Sequence, residues 1–190
     1  MITTHLFRIV RSLVATAFGL AAGVAVASDT SYYYDGAQKV ALSQVPSLAA
    51  DFSRSSSGAQ ARLASGLTAV AGDSVARIYR LPASSTDAQA APAAKALSPV
   101  FARGATAGGR LMALPGGVLV KFKPDWTREQ VDAWVAAHGF TAARPMDFGK
   151  NWFRIDTAAG VASLLAANAI FESGDVLAAS PNWWMQTSAK

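Results

Sequence analysis

The sequence predicts an α+β chain built on a β-α-β-β-α-β plan, an antiparallel four-stranded sheet with both helices on one face, in two tandem units of which the first is degenerate. Three observations predict it. Apolar spacing switches between strand and helix periods in that order over residues 117–184. Thr127-Arg128-Glu129-Gln130 forms a capping box where the first helix must begin. A fainter run of similar order occupies residues 31–101. This plan is the ferredoxin-like one.

In the better-formed unit, Gly117–Pro124 alternates, with Val118, Val120 and Phe122 on one face and Leu119, Lys121 and Lys123 on the other. Such alternation marks a half-buried strand. After the capping box, Val131, Trp134, Val135 and His138 recur at helical spacing, and Gly139 is placed to stop the helix. Apolar runs over 140–146 and 151–156 flank Asp147-Phe148-Gly149-Lys150, a hairpin-sized connection. A second helix is predicted from Val161 to Ser173, ending at Gly174, and Val176–Ala179 opens the last strand. The expected core is Val120, Phe122, Val131, Trp134, Val135, Phe153, Ile155, Leu164 and Leu165.

The earlier region parallels that unit element by element. Behind an aromatic lead-in at Tyr32–Gly36, Leu48–Phe52 matches Val118–Phe122, and Ala59–Leu67 matches the first helix. Val75–Tyr79 matches Asn151–Ile155, and Ser98–Phe101 matches Ser180–Trp183. The second helix would fall in Ser84–Ala96, where Pro92 should shorten or break it. The expected organisation is a leader over 1–27, a degenerate unit over 28–108 and a full unit with a C-terminal tail over 109–190.

The leader is read as an export signal: Arg8 and Arg11, then apolar Leu13–Val24, then Ala25-Val26-Ala27 as a small-x-small cleavage site. The apolar run falls short of the roughly 20 residues of a comfortable membrane span. Cleavage after Ala27 gives a secreted or periplasmic protein with no stable membrane anchor. The absence of cysteine excludes a disulfide or a lipid-modified cysteine. The net charge of +5 falls to +3 without Arg8 and Arg11, and from Gly116 onward seven basic residues meet seven acidic ones. Nothing gathers into the basic run that nucleic-acid binding requires, so no nucleic-acid partner is expected.

Chemistry of its own is not expected either. Beyond the leader the sole histidine is His138, so no imidazole or thiolate metal site can be assembled. A Ser-His-Asp triad would have to use that residue, which occupies a core-facing position in the last helical turn. Asp125, Glu129 and Asp132 cluster where carboxylates complement the positive end of a helix. The acylphosphatase plan needs a glycine-rich turn and an arginine between first strand and helix, and Pro124-Asp125-Trp126 stands there instead. Ala102–Gly109 lacks the Gly-Lys-Ser/Thr ending of a phosphate loop and is read as a linker, and Gly72-Asp73-Ser74 as a turn. No catalytic residue, cofactor site or metal site is assigned. The remaining candidates are Trp152, Trp183 and Trp184; neighbouring strand residues point to opposite faces, so at most one of the last two is expected in the core.

Two phrases give the region a family likeness. Val120-Lys121-Phe122-Lys123-Pro124 ends the first strand, and Pro181-Asn182-Trp183 ends the last. Together they resemble the inhibitor I9-type propeptide of subtilisin-like serine proteases, in particular the fervidolysin-like prodomain. The resemblance implies that the bare sheet face packs on the protease and that the segment after the last strand runs through the active-site cleft as an added strand. The protease-binding residues it implies are Pro181, Asn182, Trp183, Trp184, Met185, Gln186, Thr187, Ser188, Ala189 and Lys190. No catalytic domain is expected with them. The protein would therefore act in trans on a subtilisin-like serine protease, as inhibitor or folding chaperone, or represent a zymogen remnant. The competing expectation is a cell-envelope module that binds protein or carbohydrate through its tryptophans.

Overall fold

The computed structural model describes residues 31–52, 67–81, 97–104 and 109–187. The elements are β1 (Tyr32–Asp35), β2 (Gln38–Asp51), β3 (Thr68–Gly72), β4 (Arg77–Arg80), β5 (Ser98–Arg103), β6 (Leu111–Ala113), β7 (Val118–Lys121), α1 (Arg128–Ala137), β8 (Ala143–Pro145), β9 (Trp152–Ile155), α2 (Val161–Glu172), β10 (Ala178–Pro181) and β11 (Trp184–Met185). They form two antiparallel sheets. One runs β11-β6-β5-β2-β4-β3 with β1 paired to β2, and the other runs β10-β7-β9-β8.

The expected class, tandem ferredoxin-like units, is corrected by this arrangement. Among the described residues the chain is mostly β, 43% strand with two helices, a curled antiparallel half-barrel beside a second sheet. Leu48–Phe52 does not open a sheet as Val118–Phe122 does; Leu48–Asp51 is the far end of the 14-residue β2. Pro46 lies inside that strand. Proline cannot donate to a ladder, but it is tolerated at a bulge, and the β2–β5 register shifts between Gln44 and Ala49, around Pro46. The first half of β2 pairs with β1 and the second half with β4. The helices expected over 59–67 and 84–96 fall almost wholly outside the described residues, as does the leader. β6 and β11, from the later part of the chain, complete the sheet begun by β1–β5.

The four-stranded sheet is backed by both helices. Val118, Val120, Phe122, Phe153 and Ile155 face Val131, Trp134 and Val135 of α1 and Ala167 and Ile170 of α2 in one cluster. Helix α1 starts where its capping box dictates: the Gln130 amide donates to Thr127 Oγ1 at 3.4 Å, and the Thr127 amide to Gln130 Oε1 at 2.8 Å. It stops with Gly139 (φ 76°) donating to the Ala136 carbonyl and Phe140 to that of Val135, a Schellman ending. Helix α2 serves both sheets. Its Leu164 belongs with Tyr33, Leu42, Phe101 and Leu114 of the curled sheet, and Leu165, expected in the core, is 62% exposed. An apolar sequence on every side of α2 hid which flank faced water.

Candidate binding face

The helices leave the other face of β7–β10 to residues that join none of the hydrophobic clusters. Cross-strand register sets them out in two rows. Arg144, Arg154, Leu119 and Ser180 form one, and Trp152, Lys121 and Ala178 the other. Arg144 is exposed and the rest are half-buried, while their strand neighbours Val118, Val120, Phe153, Ile155 and Ala179 are buried beneath the helices. This is the plain consequence of period-2 alternation in a sheet covered on one side.

Two close approaches shape the face. The Trp152 ring lies against Gly149, where a Cβ would come within 2.7 Å of the indole. Phe148, 59% exposed, packs beside the same ring at 5.4 Å, and the Lys121 ammonium sits 5.8 Å from its centre. At the other row, the Arg154 side chain lies over Gly117, the residue before β7, whose φ is 88° and where an added Cβ would meet Arg154 Nε at 2.7 Å. Arg154 Nε is 3.6 Å from Asp156 Oδ1, and Arg144 Nη2 is 2.6 Å from Asp156 Oδ2. The face thus joins an aromatic pair to three cations and a single carboxylate.

The segment expected to dock on a partner is largely committed within the chain. Pro181 is buried in β10. The Asn182 amide donates to the Gly117 carbonyl at 3.0 Å and its Nδ2 to that of Gly116 at 3.2 Å. Trp183 packs edge-on against Tyr33 and Phe101 at 5.3 and 6.2 Å. Trp184 is buried in the curl with Ala50, Ile78 and Val100, and its indole N–H donates to Asp73 Oδ2 at 2.9 Å. The two tryptophans do point apart, but each meets a different core, so neither is left on an open face. Met185 pairs with Met112 and is half-exposed, the Gln186 amide donates to the Leu111 carbonyl at 2.9 Å, and Thr187 is exposed. Ser188, Ala189 and Lys190 lie outside the described residues. Trp184 and Met185 thus pair as a short strand with the protein's own β6.

Asp73 is the anchor that sequence reading passed over as a turn residue. Its Oδ1 accepts the amides of Val75 and Ala76 at 2.7 and 3.0 Å. The Val75 amide first, then the Trp184 indole and the Ala76 amide, hold its carboxyl below the usual 3.8. An aspartate bonding amides two and three residues ahead is a readable turn signal; its distant indole partner has no local signature. A second seam joins β1 to α2, where the Tyr32 and Tyr34 hydroxyls donate to Glu172 Oε1 at 2.9 and 3.0 Å. That hydrogen bonding raises both phenols above 10.0.

His138 is the C-cap residue of α1. Its ring stacks on Trp134 at 3.9 Å, with Nδ1 2.8 Å from the Trp134 carbonyl and Nε2 3.9 Å from Asp175 Oδ2. Among the described residues no group of three or more histidines and carboxylates could hold a metal ion, and no helix is long and apolar enough to cross a membrane. In comparison with known proteins, no family model, no curated protein and no solved structure matches this chain.

Proposed function

We propose that this is an exported binding protein that docks on a subtilisin-like serine protease through the open face of β7–β10 and slows it or favours its folded form. The observation that supports the reading best is the aromatic pair Trp152 and Phe148, kept at the surface of a sheet whose other side is fully covered. Buried aromatic anchors dominate protein interfaces, and Trp is the most enriched of them. The prodomain resemblance at Val120–Pro124 and Pro181–Trp183 supplies the class of partner. A protein that binds only the folded protease would shift its stability by mass action.

The structure amends the cleft-binding part of this reading. Pro181–Gln186 is tied to β7, β6 and two cores, so a tail entering the cleft would begin no earlier than Thr187. The sheet face therefore carries more of the proposed contact than the tail. The test is inhibition of a panel of secreted subtilases by the mature protein, beside its Trp152→Ala variant. Slowed hydrolysis that weakens more than tenfold in the variant is expected, which is about 1.4 kcal/mol. No binding and no slowed hydrolysis at high micromolar protein would overturn it.

The solvent-facing Phe148 beside Trp152 also suits stacking on a sugar ring. Saturable quenching of tryptophan fluorescence by envelope oligosaccharides, without any effect on subtilases, would select that envelope-binding reading instead.

A further inference from the structure

We infer that the partner's contact surface is acidic: a protein face whose carboxylates engage Lys121, Arg144 and Arg154 around an apolar group seated at Trp152. The inference rests on the reading of this face as the docking surface and adds the chemistry of what it meets.

The face is electrostatically incomplete on its own. Arg144 and Arg154 are direct register partners across β8 and β9. Like charges directly opposite each other in a sheet oppose its stability. A single carboxylate, Asp156, serves both guanidinium groups, close to Arg144 and at 3.6 Å from Arg154. Lys121 has no carboxylate within ion-pair distance among the described residues, and its ammonium sits 5.8 Å from the centre of the Trp152 ring. Three cations against one carboxylate leave this face with an excess of two positive charges.

Gly117 leaves room for the Arg154 side chain: an added Cβ there would meet its Nε at 2.7 Å. Arginine presents a planar fork suited to bidentate carboxylate contact. Leu119 and Ala178, half-buried and apolar, lie on the β10 side of Arg154 and Lys121. A face that interleaves cations on β7, β9 and β8 with Trp152 and Leu119 complements a protein surface that interleaves carboxylates with apolar groups, and such complementarity acts mainly on the rate of association.

The test titrates isotope-labelled mature protein with poly-L-glutamate at low salt and follows backbone amide shifts. Saturable shifts confined to β7, β8 and β9 are expected. They should disappear at 0.5 M salt and weaken roughly tenfold in Lys121→Glu, a half-exposed position where reversal places like charges together. Arg154→Gln, which keeps the stem, should weaken them as well. Shifts scattered over the whole surface, or none that saturate, would overturn the acidic footprint. So would tighter binding of heparin or oligothymidylate at the same residues, which would assign the face to another class of polyanion. A subtilase bound with an association rate indifferent to salt would sink this inference alone. Localised poly-L-glutamate binding with no subtilase bound would sink the protease reading and leave the acidic footprint standing.

Discussion

The two sheets bury their inner faces in opposite ways. The four-stranded sheet sets large side chains against helices: the Phe122 ring meets Trp126, Trp134 and Phe153 at 5.3, 5.2 and 5.7 Å. The inner cluster of the curled sheet is mostly of small ones, Ala50, Ala76 and Ala113 beside Ile78 and Val100, with Trp184 as the bulky member, while Tyr33, Leu42 and Phe101 of that sheet belong to a separate core with Leu164. Small inner residues let a sheet bend toward itself, and a single large one then fills the remaining space. The first core is supplied by a contiguous stretch of chain, residues 118–179. The second needs a residue more than a hundred positions away from Asp73, its hydrogen-bond partner.

The sharpest way to break the helix-backed core is Phe122→Ala. The side chain is fully buried, and truncation of such a residue costs about 3–5 kcal/mol. Urea melts should show a lowered midpoint with an unchanged slope. A loss below about 1 kcal/mol would mean that the sheet closes over the gap, and that the contrast between the cores is weaker than their side chains suggest.

Next comes the curl. Trp184→Ala should cost about 3 kcal/mol, the lower end for a buried aromatic, because β11 is an edge strand of two residues. The same latch predicts a dependence on pH. Asp73 has its carboxyl lowered from 3.8 by the Val75 amide, the Trp184 indole and the Ala76 amide. Its contribution is thus present above the unfolded value and is lost as pH falls through the lower folded value. Melts from pH 5 to pH 2 should therefore show a steeper acid decline in the natural protein than in Asp73→Asn. Equal slopes would remove Asp73 from the account.

The seam between the sheets should matter less. Glu172→Gln weakens an exposed pair of bonds from Tyr32 and Tyr34, and a fall in melting midpoint of about 2 °C or less is expected. Both phenols are raised above 10.0, first by their bonds to Glu172, so the stability they lend is full below pH 10 and is lost as pH rises through the folded values. Absorbance titration of the tyrosines should show two phenols ionising earlier in the variant. An unchanged titration curve would show that the hydroxyls do not depend on that carboxylate.

Local grammar was legible in the sequence, and assembly was not. Thr127 with Gln130, the Gly139 stop and the alternation of Val118, Val120 and Phe122 are signals within a few residues of what they specify. The course of β2 through Pro46, the pairing of β6 with β5 and the return of β11 to β6 depend on partners far along the chain. Short apolar runs such as Leu111–Ala113 do not say which strand they join. Trp183-Trp184 follows the same rule: alternation leaves one of the two rings outside the core until the two cores that receive them exist. The candidate face lies between. Trp152 stands out in the sequence as a candidate, whereas Arg144 and Arg154 carry no local signal, because their juxtaposition exists only in the β8–β9 register.

That register also sets the finest comparison, between neighbours on one strand. Phe153 is 7% exposed beneath the helices, whereas Trp152 lies on the open side against Gly149 and Phe148. Phe153→Ala should cost about 3 kcal/mol. Trp152→Ala removes a larger ring but leaves water rather than a cavity, and should cost less than about 1 kcal/mol. Differential scanning calorimetry on the two variants measures this directly. Equal losses would mean that Trp152 is a structural residue of a second, covered face, and the docking surface would lose its centre. A small loss in Trp152→Ala, joined to loss of partner binding, is what separates a residue kept for contact from one kept for the fold.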